Sequence, residues 1–134
     1  MYEYRVDIVK VVDGDTVDVD IDLGFGVMLN DERVRMMGID TPESRTKDLA
    51  EKKLGLEAKE YLKYKIKDAK SIKIKTEKMD SSEKYGRILG WLFIDDQSVS
   101  INEQMISDGY AWGYLGDTKV KDFEALAKAR SKKK

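Results

Sequence analysis

Val17, Val19, Ile21 and Leu23 alternate with Asp18, Asp20 and Asp22. A period of two with one apolar set reads as a strand that turns a single face inward. Asp15 shares the parity of the inward set, so it is expected at the mouth of the core. The three later aspartates are expected to face solvent, where they also discourage edge pairing, in preference to binding a metal.

The rest of the chain follows from similar local signals. Gly24 to Glu32, with two glycines and then Asn-Asp, reads as a long hairpin connection whose apolar tip caps the fold rather than contacting a substrate. Leu49 to Lys67 reads as a helix, with Leu54, Ala58, Tyr61, Leu62 and Ile66 on one stripe and lysines 59, 63 and 70 off it. Ser71 to Lys75 alternates as a strand, and Ile88 to Ile94 is apolar on both faces, as a central strand would be. A polar connection, Glu77 to Gly86, lies between them. Asp95-Asp96 marks a turn, Ile101 to Ser107 a short helix with Gly109 as its stop, and Thr118 to Arg130 a last helix. Strands, helix, strands and two more helices predict an α+β fold rather than a parallel α/β sheet. Neither repeats nor an internal linker stand out, so one domain over 1–130 is expected, with 131–134 as a solvated basic tail.

Composition narrows the chemistry. With 134 residues and no cysteine or histidine, the chain forms no disulfide and lacks the commonest general base and zinc ligand. Acid-base work falls to carboxylates, lysine, tyrosine or water. No apolar run approaches a membrane span, and the N-terminus enters a strand-like pattern at once, so the default location is cytoplasmic. The net charge of −1 conceals a division. Residues 1–48 hold 12 acids and 6 bases, and the remainder 14 acids and 19 bases. Chance drift in a charge-rich surface and an acid site beside a cationic nucleic-acid track account for it equally well.

Three motifs occur in order: Asp13-Gly14-Asp15-Thr16, then Val34-Arg35-Met36-Met37-Gly38-Ile39-Asp40-Thr41-Pro42-Glu43, then Lys84-Tyr85-Gly86-Arg87-Ile88-Leu89-Gly90. Asp-Gly alone suits a simple turn. Together, however, the motifs supply the oxygen ligands a hard divalent cation needs and the guanidinium groups that suit a phosphodiester transition state. Oxygen donors alone point to Ca²⁺, Mg²⁺ or Mn²⁺ and away from zinc. Either arginine could instead serve an ion pair. Strand parity sets Arg35 and Asp40 on opposite faces unless the chain bends, and Gly38 is the place for a bulge.

In these motifs the chain resembles the staphylococcal-nuclease-type, or thermonuclease, family from about Tyr4 to about Ala111. The resemblance implies a five-stranded OB-type β-barrel with about three helices, and a Ca²⁺-dependent nuclease acting as a monomer on DNA and RNA, preferably single-stranded, leaving 3′-phosphate ends. It implies Asp15, Asp40 and the Thr41 carbonyl as metal ligands. Arg35 and Arg87 would bind the developing phosphate charge, and Glu43 would act as general base or as a positioner of the attacking water. Tyr85 and Tyr114 would contact nucleotide. Among the aromatics near the C-terminus, Tyr110, Trp112 and Tyr114, the match is blurred by one or two residues. The alternative is a non-catalytic OB-fold module that binds nucleic acid or protein.

Overall fold

The computed structural model describes residues 2–76, 88–113 and 122–132. Five strands close into a barrel: β1 (Tyr2–Asp13), β2 (Thr16–Gly24), β3 (Val27–Met36), β5 (Ile72–Thr76) and β6 (Ile88–Ile94), in the order β1-β2-β3-β6-β5. All neighbours are antiparallel except β3 and β6, which run parallel from Val34 opposite Ile88 to Met36 opposite Gly90. A two-residue strand β4 (Ile39–Asp40) pairs with β7 (Trp112–Gly113) beside the barrel. Helices α1 (Leu49–Lys67), α2 (Ile101–Ser107) and α3 (Phe123–Lys132) complete an α+β fold of the OB type.

Val17, Val19 and Ile21 point into the barrel with Val34, Met36, Ile74 and Leu92, all essentially removed from solvent. Their partners on β2 stay partly exposed and are tied locally. Asp18 pairs with Arg33 across the ladder at 2.9 Å, and Asp20 and Asp22 accept the amides of Asp31 and Gly24. The expected long connection from Gly24 to Glu32 is corrected here. β2 and β3 run on to a two-residue turn at Phe25-Gly26, whose φ angles of 55° and 76° belong to the tight hairpin family that matches strand twist. Asn30-Asp31, which signals a loop in the sequence, falls inside β3. There Asp31 takes a φ of 55°, next to a register shift against β2. The tip does not cap the fold either, because Phe25 is fully exposed. β6 also departs from expectation. Its residues alternate buried and half-buried, so only one face lies in the core, while Phe93 on the other is covered by the Lys75 ammonium 4.6 Å from its ring centroid.

α1 begins where Asp48 accepts the amides of Ala50 and Glu51, and α2 where Ser100 accepts that of Glu103. Gly109, with φ of 84°, follows α2. Tyr61 of α1 donates a hydrogen bond to Asp108 and stacks on Tyr110 at 4.3 Å, with the Arg130 guanidinium of α3 4.1 Å from the same Tyr110 ring centroid. Burial, and then the carboxylate at Asp108, push the Tyr61 hydroxyl well above the ordinary tyrosine range. α3 runs through Lys132, two residues into the stretch expected as a tail. No described helix is long and apolar enough to cross a membrane.

Candidate active site

The β1–β2 turn is two residues, Gly14 and Asp15, between the paired Asp13 and Thr16. Glycine is required there by space. A Cβ on Gly14 would lie 2.8 Å from the Ala58 Cβ and 3.1 Å from the Thr41 side chain. The turn therefore closes against α1 and against the segment after β4. Asp15, only 9% exposed, accepts from the Thr16 hydroxyl at 2.9 Å, and its carbonyl accepts the amide of Met36 at 2.9 Å.

Arg35 stands opposite Thr16 in the β2–β3 ladder. Its Nη1 donates to the Met36 carbonyl at 3.0 Å, and its Nη2 lies 3.4 Å from Asp15 Oδ2 and 3.5 Å from Asp40 Oδ1. The parity conflict between Arg35 and Asp40 is resolved by a turn rather than a bulge. Strand β3 ends at Met36, Gly38 takes a φ of 79°, and β4 brings Asp40 back toward the guanidinium. Asn102 of α2 secures this turn, donating from Nδ2 to the carbonyls of Met37 (2.7 Å) and Gly90 (3.2 Å) and accepting the amide of Leu92 at 3.1 Å.

Asp40 and Thr41 are buried, and Thr41 Oγ1 is a buried oxygen without a hydrogen-bond partner among the described residues. Pro42 is fully buried and Glu43 exposed. The Glu43 amide donates to Glu51 Oε2 at 3.1 Å, and the Ser44 hydroxyl donates to Asp13 Oδ1 at 2.8 Å. Burial raises the Asp13 carboxyl above its usual range, with the nearby Asp15 adding to the shift and the Ser44 hydrogen bond opposing it.

Asp15, Asp40, Thr41 and Arg35 thus come together, with Glu43 on the adjoining segment. Arg87, Tyr85 and Tyr114 lie outside the described residues. Trp112 and Tyr110 are engaged in packing: Trp112 is buried, donates to the Asp122 carbonyl at 2.7 Å and meets Phe123 edge-on, while Tyr110 lies between Tyr61 and Arg130. Among the described residues no group of three or more acids is arranged to hold a metal. Two converging buried carboxylates and one unbonded hydroxyl nevertheless fit a hard cation that completes its shell with carbonyl, water or phosphate oxygens. Three contributors escaped the sequence reading: Glu51, Asn102 and Gly55. Gly55 left a signal, a glycine inside a helical pattern, which marks close backbone approach.

The barrel, with this acid and guanidinium cluster at the β1–β2 turn, defines an OB-type domain carrying a compact polar site. The family model for staphylococcal nuclease homologues matches residues 33–134, and the chain belongs to that family. An uncharacterized protein of Methanocaldococcus jannaschii is 30% identical over 89% of this chain and 63% of its own length. The thermonuclease of Staphylococcus hyicus is 29% identical over 81% of this chain and 59% of its own length. Endonuclease YhcR of Bacillus subtilis is 28% identical over 97% of this chain but only 11% of its own length. The chain spans less than two thirds of the length of the relatives it matches first.

Proposed function

We propose that this chain is a Ca²⁺-dependent nuclease that hydrolyses phosphodiester bonds of DNA and RNA, preferably single-stranded, and leaves 3′-phosphate ends. The observation that carries this reading is the convergence of Asp15 and Asp40 on Arg35, next to the unbonded Thr41 hydroxyl and an exposed Glu43. Asp15, Asp40 and Thr41, through its carbonyl, would hold the cation, which when bound polarises a phosphate oxygen. Glu43 accepts the proton of the attacking water or orients that water. Arg35 presents a planar fork that suits phosphate oxygens, and Arg87 stabilises the charge that develops at phosphorus. Tyr85 and Tyr114 contact the nucleotide. Residues 1–130 act as one nuclease domain, working as a monomer without a membrane partner, and the basic stretch 131–134, whose first two residues continue α3, extends it. Cytoplasm is the default location, with secretion as the alternative, and because the cytoplasm is poor in calcium the metal is the first property to establish.

The test is cleavage of single-stranded DNA and RNA with Ca²⁺, Mg²⁺ or EDTA in parallel, with end-group analysis of the products. Full activity in excess EDTA removes the metal reading. A folded double variant, Arg87→Lys with Glu43→Gln, that cuts at the parent rate removes the catalytic assignments and favours a non-catalytic binding module on the same barrel.

A further inference from the structure

The backbone beside the proposed base is gripped from two directions. Glu51 sits in the first turn of α1, where a carboxylate is favoured by the helix dipole. It is buried, at 7% exposure, and its Oε2 accepts the amide of Glu43 at 3.1 Å. One helical turn later Gly55 lets α1 approach the same segment: a Cβ there would fall 2.5 Å from the Glu43 carbonyl carbon and oxygen and 2.6 Å from the Ser44 nitrogen. From the opposite side Asp13 accepts the Ser44 hydroxyl at 2.8 Å. Pro42 is fully buried, and its ring fixes φ on the other flank. Residues 42–44 are therefore immobilised by α1 and by the β1–β2 turn, while the Glu43 side chain itself remains exposed.

A buried carboxylate is costly unless hydrogen bonds repay its desolvation, and a glycine inside a helix costs about 1 kcal/mol relative to alanine. Both costs fall on α1 where it faces Glu43 and Ser44. We propose that Glu51, with Gly55, is a positioning device for Glu43: it acts on the reaction only by fixing the backbone from which the Glu43 carboxylate projects. The proposal rests on the nuclease reading above. Its consequence is that Glu51 contributes to turnover rather than to substrate affinity, and only while Glu43 is functional.

Kinetics and amide hydrogen exchange, the latter in EDTA without substrate, together test it. Glu51→Ala should speed exchange of the Glu43 amide and lower kcat about ten- to hundredfold, the range that misplacement of a reacting group produces. KM should stay within about twofold, because ground-state binding is untouched. Glu51→Gln, whose amide oxygen can accept the same hydrogen bond, should restore most of kcat. In a Glu43→Gln background, Glu51→Ala should add no further loss, since it acts through the group already removed. Unchanged kcat in Glu51→Ala despite faster Glu43 exchange would overturn the positioning role, as would an equal loss in the Glu43→Gln background. Unchanged exchange would overturn the clamp itself. A parent protein that fails to cleave with any cation would instead overturn the nuclease reading, with the exchange result still reporting on the clamp.

Discussion

Replacing Arg35 by methionine isolates the electrostatic logic of the site. The Arg35, Asp15 and Asp40 side chains are 12%, 13% and 8% exposed, and one guanidinium nitrogen lies 3.4 Å from one carboxylate and 3.5 Å from the other. Those distances exceed a good hydrogen bond, so attraction between charges at low dielectric is the main contribution. Removing one member of a buried ion pair costs about 3–5 kcal/mol, because the remaining charge stays buried with less to compensate it. The lower end applies here, since Asp15 keeps the Thr16 hydroxyl at 2.9 Å. Methionine retains the length of the stem, so packing loss is small, although the hydrogen bond to the Met36 carbonyl is also lost. A loss near 3 kcal/mol in a domain of this size lowers Tm by about 10 °C. The assay is thermal unfolding followed by circular dichroism, first in EDTA and then with Ca²⁺. Added Ca²⁺ should recover more stability in Arg35→Met than in the parent, because it supplies positive charge the variant lacks. A variant that melts within about 2 °C of the parent in EDTA would falsify the claim that Arg35 offsets both carboxylates.

Three further outcomes follow from the same geometry. Asn102→Leu strands the Met37 carbonyl and the Leu92 amide and removes one of two donors to the Gly90 carbonyl, which keeps the Met37 amide at 2.8 Å, so chemical denaturation should show a loss of about 3 kcal/mol; wild-type stability would mean that Asn102 does not hold the turn. Gly14→Ala places a methyl 2.8 Å from the Ala58 Cβ, so it should lose about 1–3 kcal/mol and weaken Ca²⁺ binding by calorimetry, since the turn carries Asp15. Tyr61→Phe should lose about 1 kcal/mol near neutral pH, from the hydrogen bond to Asp108. The Tyr61 hydroxyl is raised in the folded state, so its contribution is complete below the unfolded tyrosine pKa and lost only as pH rises beyond it toward the folded value. The gap between parent and variant should therefore hold from neutral pH to the unfolded pKa and close only in strong alkali. A gap that closes below the ordinary tyrosine range would contradict the assignment.

The helices were largely legible because their signals are local. Leu49 to Lys67 and Ile101 to Ser107 have the expected limits, each preceded by a capping side chain, Asp48 or Ser100, whose hydrogen bonds lie within the first turn. The β2–β3 hairpin was not legible, because breakers have two uses. Gly24-Phe25-Gly26 and Asn30-Asp31 both favour positive φ, but only the first pair of turn residues reverses the chain, while Asp31 bends a strand that continues on both sides. Pairing with β2 decides between those outcomes, and pairing is a long-range property. The same holds for β6: an all-apolar string does not reveal that Leu89, Trp91 and Phe93 lie on a face only half covered.

For the site, residue types were legible and their placement was not. Asp15, Arg35, Asp40 and Thr41 stand out by chemistry and motif, yet strand parity separates Arg35 from Asp40, and only a positive-φ turn at Gly38, held from α2 by Asn102, brings them together. Glu51 has the sequence context of an ordinary acid in the first turn of a helix, a position that favours carboxylates wherever it occurs. What distinguishes it is burial against a segment eight residues earlier, made possible by Gly55 four residues later. A glycine that interrupts a good helical pattern was thus the one local sign that α1 is fitted to the Glu43 segment as well as to the barrel. That sign separates two causes for the same close approach. If α1 were there only to cover the core, Gly55→Ala would be a stability variant; because the added methyl would strike the Glu43 backbone first, it should displace the proposed base as well, and lower kcat by more than its loss of stability would require.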